Sequence, residues 1–338
     1  MKKPFRRAGP DRTQSIRLWF QLAFLALNVW IGIQFYLFVR YYETGGQMGV
    51  AERPPGVEGW LPIASLMNLK VLLYTGGLPS IHPAGVFLLI AFLLISWLLR
   101  KSFCGWLCPV GTASEYLAKL GKKIFGRTFT LPRWLDIPLR SLKYILMGLF
   151  LYVIAAMSVE QIRAFLSGPY GIVADVKMLN FFRNMGLTAA AVLGVLVLAS
   201  VFVQNFWCRY LCPYGALTGL ASLLSPVRIH RDKELCIDCA KCARACPSRL
   251  PVDTLVQIRS AECLGCMECV NVCPAEGALD LKAFGRRTVR PWMVAAGIAF
   301  VFFGFVGYAK ATGHWNSNVP NSLYQRLVPN ASEFEHPR

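Results

Sequence analysis

Twelve cysteines carry the chemistry this sequence can do. Eight form two tandem copies of one pattern. Cys236-x2-Cys239-x2-Cys242-x3-Cys246-Pro247 is followed by Cys263-x2-Cys266-x2-Cys269-x3-Cys273-Pro274, with sixteen residues between Cys246 and Cys263. Four soft thiolates suit an iron–sulfur cube. Three thiols at x2 spacing wrap one cube, and the fourth, followed by proline, turns away to the other. The spacing therefore predicts two [4Fe–4S] clusters. One rests on Cys236, Cys239, Cys242 and Cys273, the other on Cys263, Cys266, Cys269 and Cys246. Structural zinc and disulfides are the competing readings. Paired Cys-x2-Cys occurs at zinc sites, but the third x2 step and both Cys-Pro endings do not fit that pattern.

The other four cysteines sit in an internal duplication. FCGWLCPVGTASEYLAKLG (103–121) aligns without a gap on WCRYLCPYGALTGLASLLS (207–225). In each copy Cys-x3-Cys puts two thiols one helical turn apart on one face, and the following proline suits the first turn of a new helix. Two such copies would bring Cys104, Cys108, Cys208 and Cys212 together. They could form a third metal site or cluster, or a pair of redox-active dithiols. The bland alternative is packed free thiols, since cysteine is a good buried apolar residue.

These thiols stand in an apolar chain. Of 338 residues, 55% are hydrophobic and 16% charged, against about 25% charged in soluble domains. Five runs lack Asp, Glu, Lys and Arg: 18–39, 83–99, 144–159, 184–207 and 291–309. They predict an α-helical polytopic membrane protein of five spans, with a small inserted α+β domain holding the eight-cysteine stretch. Arg140 and Lys143, just before the short third run, are expected to snorkel to the interface. Trp60–Gly77 is short and carries Pro62 and Lys70, which points to an interfacial or re-entrant helix.

Charge sets the orientation. Segments 1–17, 100–143 and 206–290 hold 27 of the 36 Lys and Arg, so by the positive-inside rule they face the cytoplasm. That arrangement is N-in and C-out, and it puts every cysteine on the reducing side. Each Cys-x3-Cys-Pro motif then follows an outward-then-inward pair of spans, which makes two parallel repeats. The net charge of +18 thereby becomes a matter of topology and lipid contact, not of nucleic-acid binding. The predicted divisions are a basic N-terminus (1–17), repeat 1 (18–137), repeat 2 (138–227), the cluster domain (228–285) and a last span with an outer tail (286–338). No span carries histidines spaced as haem ligands. Trp60, Lys70 and His82 could supply the polar groups of a quinone site, although such residues are usually interface anchors.

The spans, the two Cys-x3-Cys-Pro motifs and the two-cluster stretch together resemble the NapH/NosR-type membrane polyferredoxins, cysteine by cysteine and over nearly the whole chain. The resemblance implies a membrane-anchored electron carrier of the bacterial inner membrane, relaying single electrons between the quinol pool and a redox protein partner. NosR-type members also bear an outer flavin domain. The outer segments here are too short for one, so neither FMN nor haem is expected. A rival from another class is a metal-reducing or cofactor-maturation factor in which the Cys-x3-Cys-Pro thiols are the working site.

Overall fold

The computed structural model describes residues 6, 7, 9, 12–127, 129 and 131–336, with only the backbone of Arg133. Lys2, Lys3 and Arg338, counted above for charge, lie outside the described residues. In chain order the helices are α1 (Thr13–Glu43), α2 (Pro62–Thr75), α3 (Pro83–Leu98), α4 (Pro109–Phe125), α5 (Arg133–Ala156), α6 (Val159–Ser167), α7 (Pro169–Ile172), α8 (Ala174–Arg183), α9 (Leu187–Phe202) and α10 (Pro213–Leu223). Then come β1 (Val227–Arg231), α11 (Lys241–Ala245), α12 (Glu268–Asn271), β2 (Leu279–Ala283), β3 (Arg287–Thr288), α13 (Pro291–Ala311) and α14 (Asn321–Leu327). The strands form one antiparallel sheet in the order β1-β2-β3, with Ile229 opposite Leu281.

Local sequence explains most boundaries. Prolines open α2, α4 and α10 at the first helical position, where a missing N–H costs nothing. Gly76 and Gly126, at φ 67° and 69°, close α2 and α4 in the left-handed conformation that only glycine adopts freely. Ser158 and Gln161 form a reciprocal capping box at the start of α6. That cap ends the preceding helix, so α5 stops at Ala156 and does not run to Val159; its other end begins at Arg133, well before Tyr144.

Three helices among the described residues are long and apolar enough to cross a membrane: α1, α5 from Trp134, and α13. The helices α8 and α9 bend by 84° at their junction and make a fourth if they are one broken span. The apolar α3 has 16 residues, short of the roughly 20 that cross a bilayer untilted.

The chain divides into two compact units. The first comprises 1–25, 92–147 and 194–301; the second comprises 26–91, 148–193 and 302–338. The first holds all twelve cysteines and the sheet.

The second unit packs Phe35, Phe38, Tyr42, Ile172, Tyr324 and Leu327 into one apolar core. Beside that core lies a buried charge cluster. Arg53 donates to Asp175 Oδ2 at 2.7 Å and to Glu58 Oε1 at 2.6 Å. Glu58, fully buried, also accepts from the Gly85 N–H at 2.9 Å. His82 Nε2 donates to the Gly171 carbonyl at 2.9 Å, and its Nδ1 lies 3.2 Å from Arg53 Nη2. Burial alone would raise the Glu58 pKa, but the Arg53 charge and the contact with His82 outweigh it and hold it below the ordinary value.

Two outcomes test this cluster. Arg53→Met leaves two carboxylates buried without their cation and should cost about 3–5 kcal/mol, read as a lower unfolding temperature in detergent. Because the folded Glu58 pKa is depressed, its stabilisation is full above the unfolded value near 4.5 and is lost as pH falls through the folded one. Thermal melts should therefore show wild type losing stability steeply on acidification below about pH 4.5, and Glu58→Gln losing less.

Candidate iron–sulfur site

The eight clustered cysteines ring two separate hollows. Cys236, Cys239, Cys242 and Cys273 line one, with Pro274 and Asp253. Cys246, Cys263, Cys266 and Cys269 line the other, with Pro247 and Ile258. Each hollow thus takes three thiols from one run and the fourth from the other.

The backbone turns that allow this are alike in both runs. Asp238 and Ala240 stand at φ 55° and 54°, and their counterparts Gly265 and Met267 at φ 61° and 54°. Left-handed residues at these points curl each x2 step around its hollow. Three of the four carry a side chain, at a cost of about 1–2 kcal/mol each, which is the kind of strain found at functional sites. The first hollow's cysteines are half-buried and the second's are buried.

The two Cys-x3-Cys-Pro motifs are entered through left-handed residues, Arg100 and Asn205. They run as π-helical turns, Phe103–Leu107 and Trp207–Leu211, in place of the expected α-turn. Cys108 and Cys212 then become extended, and Pro109 and Pro213 start the next helices. Cys104 Sγ lies 3.4 Å from Thr218 Oγ1, and Cys212 Sγ accepts from the Gly215 N–H at 3.2 Å.

The four thiols stand within electrostatic reach of one another. Burial pushes Cys108 up to about 12, and charge on Cys104 and Cys212 adds to the shift. Burial followed by charge on Cys108, Cys212 and Cys104 raises Cys208 well above its usual value, and burial followed by Cys104 raises Cys212. Left alone, such sulfurs stay protonated. A bound cation or cluster reverses this, because it deprotonates its ligands outright. The donor set therefore fits a metal centre chemically. Among the described residues no three His, Cys, Asp or Glu side chains are grouped for a lone ion.

Charged residues tie these elements together. Lys143 is fully buried and does not snorkel; its Nζ donates to both Glu262 oxygens at 2.7 Å. Tyr144 donates to the same carboxylate at 2.9 Å, and the Ser248 hydroxyl donates to the Glu262 carbonyl at 2.6 Å. Glu262 precedes Cys263, and Ser248 follows Cys246-Pro247. Burial raises the Glu262 pKa, but the charges of Lys101 and Lys143 win and hold it low.

Asp136 accepts from Arg209 at 2.9 and 3.1 Å and from Tyr210 at 2.7 Å, and it also pairs with Arg140. On one face of α1, Gln14 donates to the Cys266 carbonyl at 2.9 Å, while Arg17 pairs with Glu115 and donates to the Gly105 carbonyl at 3.2 Å. Sequence reasoning missed Asp136, Glu262, Arg17 and Gln14. Only Arg17, directly before the apolar run 18–39, carried a signal: an ionisable residue at the end of such a run.

Trp60, Lys70 and His82 are not brought together. Trp60 donates to Asn28 at 3.1 Å, Lys70 caps the end of α5 through the carbonyls of Ile154, Ala155 and Met157, and His82 belongs to the Arg53 cluster.

Comparison with known proteins agrees with the thiol geometry. A family model described as a 4Fe-4S dicluster domain matches residues 228–275. A second, described as a 4Fe-4S binding domain, matches twice, at 81–128 and 185–231, and so covers both Cys-x3-Cys-Pro motifs. YccM of Escherichia coli (strain K12), provisionally named an electron transport protein, is 51% identical over 94% of this chain and 90% of its own length. The regulatory protein NosR of Pseudomonas aeruginosa is 30% identical over 56% of this chain and 27% of its own. The ferredoxin-type protein NapH of Haemophilus influenzae is 27% identical over 44% of this chain and 47% of its own. No solved structure matches.

The buried Lys143–Glu262 pair should respond sharply to substitution. Lys143→Met strips the carboxylate of its nearest cation and should cost about 3 kcal/mol or more. Differential scanning should show the loss, and Glu262 should titrate closer to its usual range. The double variant Lys143→Met/Glu262→Gln should recover most of the stability.

Proposed function

Since the chain belongs to the YccM-like NapH/NosR-type membrane polyferredoxins, we propose that Cys236, Cys239, Cys242 and Cys273 hold one [4Fe–4S] cluster, and Cys263, Cys266, Cys269 and Cys246 a second. The observation that carries this is the division of the thiols, four to each hollow with one exchanged between runs. Bound clusters supply one-electron redox chemistry. The chain's own residues ligate them, bury them and aim hydrogen bonds at the sulfurs, as Leu250 N–H does toward Cys246 Sγ at 3.4 Å. Cys104, Cys108, Cys208 and Cys212 form a third metal or cluster centre in this reading, supported by the matching turns that present them and by the twofold match of a 4Fe-4S binding domain.

The protein is a membrane iron–sulfur electron carrier. Its finer placement is part of the proposal: five spans across the bacterial cytoplasmic membrane, N-in and C-out, in two parallel repeats, with the thiols facing the cytoplasm. The distribution of Lys and Arg supports this orientation. Electrons pass between quinol and a redox protein partner.

Reduction of the purified protein with dithionite should give [4Fe–4S] EPR signals and roughly eight iron and eight sulfide per chain for the two hollows, with more if the third centre is a cluster. Zinc in place of iron would sink the reading. Cys104→Ser/Cys208→Ser should abolish the third centre and leave the other two signals unchanged. In proteoliposomes a quinol analogue should reduce the clusters in an inhibitor-sensitive way, and reduction by soluble donors alone would remove quinol from the scheme.

A further inference from the structure

Both Cys-x3-Cys-Pro motifs reach the second hollow, by different chemistry. In the first motif Gly105 backs onto the Leu264 carbonyl so closely that a Cβ would come within 2.6 Å of it. Its neighbour Trp106, fully buried, donates from Nε1 to the Gly265 carbonyl at 3.1 Å. Leu264 and Gly265 are the two residues between Cys263 and Cys266. In the second motif the position of Gly105 is taken by Arg209, whose Nη1 donates to the Ser248 carbonyl at 2.9 Å. Ser248 lies two residues past Cys246. The two motifs thus grip the two loops that carry the four thiols of the second hollow. The cysteines of the first hollow are only half-buried, and Ile237 in its lining is 43% exposed.

We propose that Trp106 and Arg209 are positioning residues that couple the four Cys-x3-Cys-Pro thiols to the second hollow, making it the inner member of the relay and the first hollow the outer member, where a soluble partner exchanges electrons. This rests on the cluster assignment above. The transfer concerned is a one-electron exchange between neighbouring iron–sulfur centres, one oxidised as the other is reduced, with no bond made and no proton moved. The tryptophan indole and the arginine guanidinium hold the loops in register without themselves changing redox state.

The test uses the full chain in nanodiscs, with a reduced flavoprotein as a bulky one-electron donor, sampled by freeze-quench EPR. The two signals are assigned beforehand from Cys239→Ser and Cys266→Ser. The outer centre should reduce first and the inner one after it. Trp106→Phe keeps the ring and loses the N–H; Arg209→Lys keeps a cation toward Asp136 and loses the reach to Ser248. Each should leave the first step unchanged, slow the second roughly fivefold, and shift the midpoint potential of the inner centre alone. Either variant serves if the other fails to assemble. Reduction of the inner centre first overturns the proposal, as does an inner potential and rate unmoved in both variants. Absence of any [4Fe–4S] signal in the unsubstituted protein would overturn the cluster assignment instead, so the two failures are distinct.

Discussion

The carboxylate of Glu262 is the contact on which the thiol-bearing unit depends. It is the residue before Cys263, and it is held by Lys143 and Tyr144 from a helix long and apolar enough to cross a membrane. Its own carbonyl accepts from Ser248, beside Cys246. One residue therefore joins the apolar helix α5 to both loops of the second hollow. A buried ion pair is weak evidence for stability, so its significance here lies in register. A lysine with no exposure cannot pair with a carboxylate one residue out of place, and a shift of one residue would move Cys263 off its hollow.

The same logic recurs with other residues. Asp136, also on α5, fixes Arg209 and Tyr210 between Cys208 and Cys212. Arg17, near the start of α1, fixes Gly105 between Cys104 and Cys108. Each motif is thus clamped by a charged residue close to the end of an apolar helix. A hydrophobic contact would tolerate sliding of one helix along another. A charge-assisted hydrogen bond with a defined partner does not. Centres that exchange electrons need fixed spacing more than they need extra stability, and buried charge supplies the first at some cost to the second.

The parts of this structure that were legible in the sequence are the local ones. Prolines at 62, 109 and 213 mark helix starts because proline is tolerated there and nearly nowhere else in a helix. The cysteine runs stand out because x2 and x3 steps determine which sulfurs can share a centre within a few residues. The ion pairs were not legible, since Lys143 and Glu262 lie 119 positions apart and nothing in either neighbourhood signals the other. Lys143 looked like an interface residue because a lysine near the start of an apolar run usually reaches for water. Here a carboxylate from the cluster domain comes to it. The helix ends were misjudged for a related reason: apolar runs measure hydropathy, whereas α5 ends where Ser158 caps its successor and begins among polar residues that tertiary contacts bury. Of the four left-handed residues around the hollows, Gly265 carries a strong sequence signal and Asp238 a weaker one; Ala240 and Met267 are held there by their surroundings.

The duplication explains why the second hollow and not the first is gripped from two sides. Two copies of one motif, if chemically identical, would offer the same group twice, yet the two loops they must hold differ. The Cys263–Cys266 loop presents carbonyls at close range, which demands a residue without a side chain and then a flat donor; Gly105 and Trp106 answer that. The loop after Cys246 is met by the guanidinium of Arg209, which donates to the Ser248 carbonyl while Asp136 steadies it. Departure from the repeat at these two positions is therefore the point at which a symmetric pair of helical turns becomes adapted to an asymmetric partner. The four cysteines themselves stay alike in both copies.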